Sequence, residues 1–200
     1  MSSRLGLIDP ASLSVEQKEA YDIMDGYTTQ RYGESLISDK VFSPTIKRED
    51  GCLLGPFGVQ LHLPGIAQHF VGIGKTLLAV PGLSARAREV AINVVGAHTK
   101  AAYEHAAHAR AALTLGFSKA QLDEIESGVC PADLGDDEKV AFDVATELLE
   151  RPGPLREDVW QRAVGVLGNS GAMVLVQYIG WYRYIATILN GFDVQVPESR

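Results

Sequence analysis

Residues 87–112 read AREVAINVVGAHTKAAYEHAAHARAA. Valine, alanine and isoleucine recur through it at helical spacing, and the period is 3.6 rather than 2. Ser84 is placed to cap a helix reaching about Ala97, with Val90, Ala91, Val94 and Val95 turned inward. A second helix follows over about Lys100–Leu115, and Gly116 ends it in the manner of a C-cap glycine. On that second helix Ala101, Glu104, His105, His108, Ala112 and Leu115 share one face, while Tyr103 and Arg110 lie on the others and are expected to meet solvent. Two glutamates and three histidines within a segment otherwise built from alanine and valine must either pair or shift their pKa values. The face is a candidate acid–base site. The plainer alternative for Glu104 and His108 is a surface pair four residues apart, worth only ~0.2–0.5 kcal/mol.

Outward from this stretch the pattern stays helical. Ser14 with Gln17 forms a capping box for a helix over about Val15–Asp25. Residues 26–63 are broken by Gly26, Gly33, Pro44, Gly51, Gly55, Pro56 and Gly58, which predicts irregular chain with at most a short helix near Thr29–Ser38. CLLGPFGVQLHLP, residues 52–64, is too apolar for a solvated loop. Pro64 opens a helix to about Ala79, with His69 on its outer side. Further helices are expected over Ser118–Ser127, Asp136–Glu150, Arg156–Leu167 and Ser170–Leu189. The last is apolar almost all round and long enough for a bilayer, which takes ~20 apolar residues. Its Gln177, Arg183 and tyrosines favour a buried core helix or a subunit interface instead. No strand alternation occurs, so the chain is expected to be all-α, with seven to eight helices in a single domain over residues 1–200.

A net charge of −7 argues against general nucleic-acid binding, which needs a basic surface. No cationic segment followed by an apolar run opens the chain, and only Cys52 and Cys130 are present. Reduced thiols in a cytoplasmic protein, with no membrane partner, are the expectation.

The spacing of Glu89, Ala101, Glu104 and His108 resembles the alkylhydroperoxidase-D-like relay Glu…Cys-x-x-Cys-x-x-x-His, with Ala101 and Glu104 at the two cysteine positions. The carboxymuconolactone decarboxylase branch of that superfamily lacks the cysteines and shows Tyr-Glu-Trp…His. Tyr103-Glu104-His105 followed by His108 is similar to it, with histidine in place of tryptophan. GPFGVQLHLPGIAQHF, the Arg86-x-Arg88-Glu89 entry, and GWYRYIATILNGFDVQVP extend the likeness over about Pro56–Pro197. The resemblance implies an alkylhydroperoxidase-D-like helical bundle, a trimeric or hexameric assembly, and a cofactor-free site at a subunit interface. It also implies pocket roles for Phe57 and Tyr103, and by position in the lead-in loop only for His62 and Cys52; for Cys52 a small buried thiol is the plainer reading.

A peroxidase needs a low-pKa thiolate with a resolving thiol, and the relay positions hold neither. The expected chemistry is non-redox: decarboxylation or isomerisation of an unsaturated lactone or related cyclic carboxylic acid. Histidine, with an ordinary pKa of ~6.5, suits the proton transfer. His108 is the expected proton carrier, and either Glu104 or Glu89 orients it. His105 is a neighbour in the site, and Arg86 or Arg88 holds an anionic group of the substrate. His98, Glu104, His105 and His108 also have the right chemistry for a metal, but no His-x-x-x-His or Glu-x-x-His pair is present, so no metal or other cofactor is expected. A non-catalytic oligomer of the same fold stands as a third reading.

Overall fold

The computed structural model describes residues 4–38 and 46–196; Pro44 and Pro197 lie outside them. Among the described residues the chain is all-α, with eight α-helices and a single isolated bridge between Lys47 and Leu53. They are α1 (Val15–Ser38), α2 (Gly55–Gln60), α3 (Pro64–Ala79), α4 (Ala85–Thr99), α5 (Ala102–Thr114), α6 (Lys119–Glu126), α7 (Asp136–Glu150) and α8 (Glu157–Gly191).

Local chemistry sets most of the ends. Ser14 and Gln17 exchange hydrogen bonds at the start of α1, as Ser118 and Gln121 do at α6. Ser84 Oγ accepts from the Ala87 amide at the start of α4. Gly116 and Gly128 take left-handed φ values of 84° and 80° just past α5 and α6, where a Cβ would be strained. The expected helices ending at Leu167 and starting at Ser170 run together as α8, with Gly168 (φ 70°, ψ 170°) as the one non-helical residue between them.

Two expectations need correction. α1 does not stop near Asp25 but continues through Gly26 to Ser38. Ala20, Met24, Tyr27 and Thr28 form a buried stripe at helical spacing, and that burial outweighs the ~1 kcal/mol cost of one interior glycine. The 55–60 segment is a short helix, α2, with Gly55 at φ 57° and Pro56 in its first turn.

The chain divides into two compact units, Met1–Thr76 with Ile188–Arg200, and Leu77–Thr187. In the first, Phe57 sits between Tyr27 and Phe70, with ring centroids 6.3 and 5.9 Å away. In the second, α4 is the hub: it packs against α5, α6 and α7. Its residues from Val90 to Gly96 are all buried. The loop before it crosses the backbone of α8 where two glycines meet; a Cβ on Gly171 would run into the Gly82 carbonyl. α8 is long and apolar enough to cross a membrane by length and composition. It is buried on one side: Ala172, Leu175, Tyr178, Ile179, Tyr182 and Ala186 are covered, while Met173 and Tyr184 lie on the exposed side.

Candidate active site

Only Lys100 and Ala101 separate α4 from α5, so α5 must turn back immediately beside α4. Lys100 makes the turn in the left-handed conformation, at φ 54°. The helices then approach closely at Gly96, where an added Cβ would lie 3.3 Å from the His105 backbone. This approach decides which side chains meet.

Of the two carboxylates that could orient His108, it is Glu89 that does so. His108 Nδ1 donates to Glu89 Oε2 at 2.7 Å, and the two side chains are 13% and 6% exposed. The bond fixes the proton on Nδ1 and leaves Nε2 as the reactive nitrogen of the neutral ring. The opposite side of the imidazole is held by Tyr182, edge to face, with centroids 4.9 Å apart and planes at 88°. Tyr182 in turn lies parallel to Tyr178, four residues earlier on α8, at 6.1 Å.

Glu104 stands four residues before His108 but makes a different use of its carboxyl. The residue is 2% exposed, and neither oxygen has a hydrogen-bond partner among the described residues. Burial without a compensating charge pushes its pKa well above the ordinary carboxylate range. Burial thereby favours the neutral acid, the form with a proton to give.

One member of the site carries no charge and was missed by the sequence reasoning. Asn93, one turn after Glu89, donates from Nδ2 to the Glu89 carbonyl at 2.8 Å and to the His108 carbonyl at 3.4 Å. It therefore ties together the backbones of the two residues that share this hydrogen bond. With two carbonyls on that side the amide nitrogen must face them, and Oδ1 is left buried without a partner. Its signal was in the sequence: a lone amide at helical spacing from Glu89, inside the run Val90-Ala91-Ile92-Asn93-Val94-Val95.

The remaining expected residues are placed differently. His105 turns to α6, its Nε2 3.9 Å from Glu126 Oε2, away from the Glu89–His108 pair. Tyr103, expected at the solvent, is buried. Arg86 is saturated: its guanidinium pairs with Glu138 through two nitrogens, donates to the Leu115 carbonyl at 2.9 Å and lies 3.8 Å over the Phe117 ring. The Glu138 carboxylate raises its pKa further, and each of its three nitrogens already donates to a protein acceptor. Phe57 and His62 belong to the first unit, where Phe57 is a core ring and His62 Nε2 lies 3.4 Å from the Gly6 carbonyl. His98 closes the last turn of α4, and both it and His69 are exposed.

Burial raises the pKa of both Cys52 and Cys130, which disfavours the thiolate each would need as a nucleophile. Among the described residues, no three His, Cys, Asp or Glu side chains stand together as a metal-ligand set.

No curated protein matches the sequence. The comparison with protein families is positive for residues 64–147, from the first residue of α3 to Glu147 in α7, a stretch that contains Glu89, Asn93, Glu104 and His108. The model that matches this stretch is that of the carboxymuconolactone decarboxylase family.

Proposed function

We propose that the chain is a cofactor-free, non-redox lyase that decarboxylates or isomerises an unsaturated lactone or related cyclic carboxylic acid. The family match over residues 64–147 suggests decarboxylase or alkylhydroperoxidase-D-like activity. The observation that favours proton chemistry over thiol chemistry is the buried Glu89–His108 pair, with the neutral acid Glu104 one turn away on the same helix. In decarboxylation the bond between the ring carbon and the carboxylate breaks, and its electron pair moves into the conjugated carbonyl as a dienolate. Carbon dioxide leaves, and a proton is delivered to carbon. Glu104 has the proton to deliver; water then reprotonates it. His108 Nε2, with Glu89 stabilising the cation that forms on protonation, takes or returns a proton on the other side of the system. In isomerisation the same two groups act in succession, His108 removing a proton from carbon and Glu104 giving one back.

The test follows the loss of ultraviolet absorbance of unsaturated lactone acids. His108→Ala is expected to lower turnover by about 10²–10⁴, the range for a positioned acid or base, with helical circular dichroism unchanged. Unchanged turnover would remove His108 from the mechanism.

A further inference from the structure

Arg86 and Arg88 lie two residues apart on α4, so about 200° of rotation separates them and they serve opposite sides of the helix. Arg86 is saturated by Glu138, the Leu115 carbonyl and Phe117. Arg88 makes no ion pair and no side-chain hydrogen bond among the described residues, and its Nε is buried without an acceptor. Its guanidinium lies over the face of Tyr178, 5.7 Å from the ring centroid. A buried guanidinium N–H without an acceptor costs more than an ordinary unpaired donor, because the group is always charged and presents its donors as a rigid fork. The remedy for such a fork is a planar, two-oxygen anion.

The ring against which Arg88 rests is part of the site already described. Tyr178 is stacked on Tyr182, and Tyr182 meets His108 edge to face. Arg88 and His108 therefore stand at the two ends of one aromatic platform on α8, with Arg88 next in sequence to the glutamate that orients His108. A cyclic acid lying along the two rings would put its carboxylate at Arg88 and its ring carbons near the imidazole.

We infer that Arg88 and Tyr178 form a carboxylate subsite, which selects small cyclic carboxylic acids and sets their orientation toward His108. The inference deepens the acid–base reading and rests on it only for the identity of the reacting end; the subsite itself can be measured by binding alone.

The test uses the full chain and two probes of the same shape, cyclopentanecarboxylate and its uncharged carboxamide, followed by titration calorimetry at low chloride. The carboxylate is expected to bind at least tenfold more tightly than the amide, in line with roughly 1.5–3 kcal/mol for hydrogen bonds to a charged group. Arg88→Gln should erase that preference, and Arg88→Lys should restore part of it, since the charge returns without the fork. Equal binding of the two probes by the wild-type chain, or no carboxylate binding at all, would overturn the subsite without any variant having to fold. An unchanged preference in Arg88→Gln would overturn it too. His108→Ala, which removes turnover under the acid–base reading, is expected to keep the carboxylate preference, so the two ideas fail separately.

Discussion

The polar groups on and around helix α4 stand on two different footings. On one, each charge closes on a partner: Arg86 with Glu138, the Leu115 carbonyl and Phe117. The same holds farther along at Glu147, whose carboxylate takes the side chains of Arg151 and Arg156 and the Arg156 amide. Even the cavity of about 530 Å³ between α7 and α8 belongs to this regime, since its arginines Arg151, Arg156 and Arg162 all face carboxylates. On the other, polar atoms are left short: both oxygens of Glu104, Oδ1 of Asn93 and Nε of Arg88. Each buried polar group without a partner costs about 1–3 kcal/mol. Groups that hold a fold together are saturated, whereas groups kept for a ligand or a proton are held short of partners until it arrives. The count of partners, rather than the count of charges, separates the two.

The saturated side should break hardest. Arg86→Ala strands Glu138, which is buried, and removes the cation from Phe117. Breaking a buried pair from one end costs about 3–5 kcal/mol, and the partial exposure of Arg86 lowers the expectation to roughly 2–4 kcal/mol. Urea denaturation measures it. A loss below about 1 kcal/mol would put Arg86 among ordinary surface pairs and erase the contrast.

The unsaturated side should behave with the opposite sign. The pKa of Glu104 is raised in the folded state, so folding takes up a proton wherever the unfolded carboxyl, with an ordinary value of 4.5, has already lost it. Its contribution is fully present below about pH 4.5 and is lost as pH rises toward the folded pKa, at no more than about 1.4 kcal/mol per pH unit. Glu104→Gln keeps the shape and removes the titration. The variant is expected to match the wild type in acid, to exceed it in stability at neutral and alkaline pH, and to lose turnover. Melting curves taken across pH test this; parallel curves for the two proteins would mean that the carboxyl is not held neutral by burial.

The fold was largely legible because its boundaries are written in local chemistry. Ser84, Ser118 with Gln121, Gly116 and Asp136 mark helix ends that the structure keeps. α1 was underread because Gly26 looked like a stop, while the stripe of Ala20, Met24, Tyr27 and Thr28 that carries the helix past it draws its strength from tertiary burial. The candidate site was legible in its residue types but not in its pairings. Glu104 and Glu89 were equal claimants on His108 by sequence, one through helical spacing and the other only through packing. The close approach at Gly96 brings Glu89 to the ring, and sequence spacing does not encode that approach. Arg86 and Arg88 were interchangeable for the same reason: they are alike in charge and differ only in what α7 and α8 set beside them.

Asn93 lies on the border of the comparison, and its replacement should have the smallest effect. Its Nδ2 is satisfied by two carbonyls and its Oδ1 by nothing. Asn93→Leu removes the donor, a loss of about 0.5–1.5 kcal/mol for a typical hydrogen bond, but also removes the unpaired oxygen, a gain of similar size. The two are expected to cancel to within about 1 kcal/mol in urea denaturation. What should change is the geometry of the Glu89–His108 hydrogen bond, because the amide that links their two backbones is gone. The His108 Nδ1–H resonance, expected downfield in the wild type because of its carboxylate partner, is expected to broaden or move upfield in the variant. A stability loss above about 2 kcal/mol would show that Oδ1 does have a partner in solution, an ordered water being the simplest, and would move Asn93 to the saturated side. An unmoved resonance would leave the Glu89–His108 pair held by α4 and α5 packing alone.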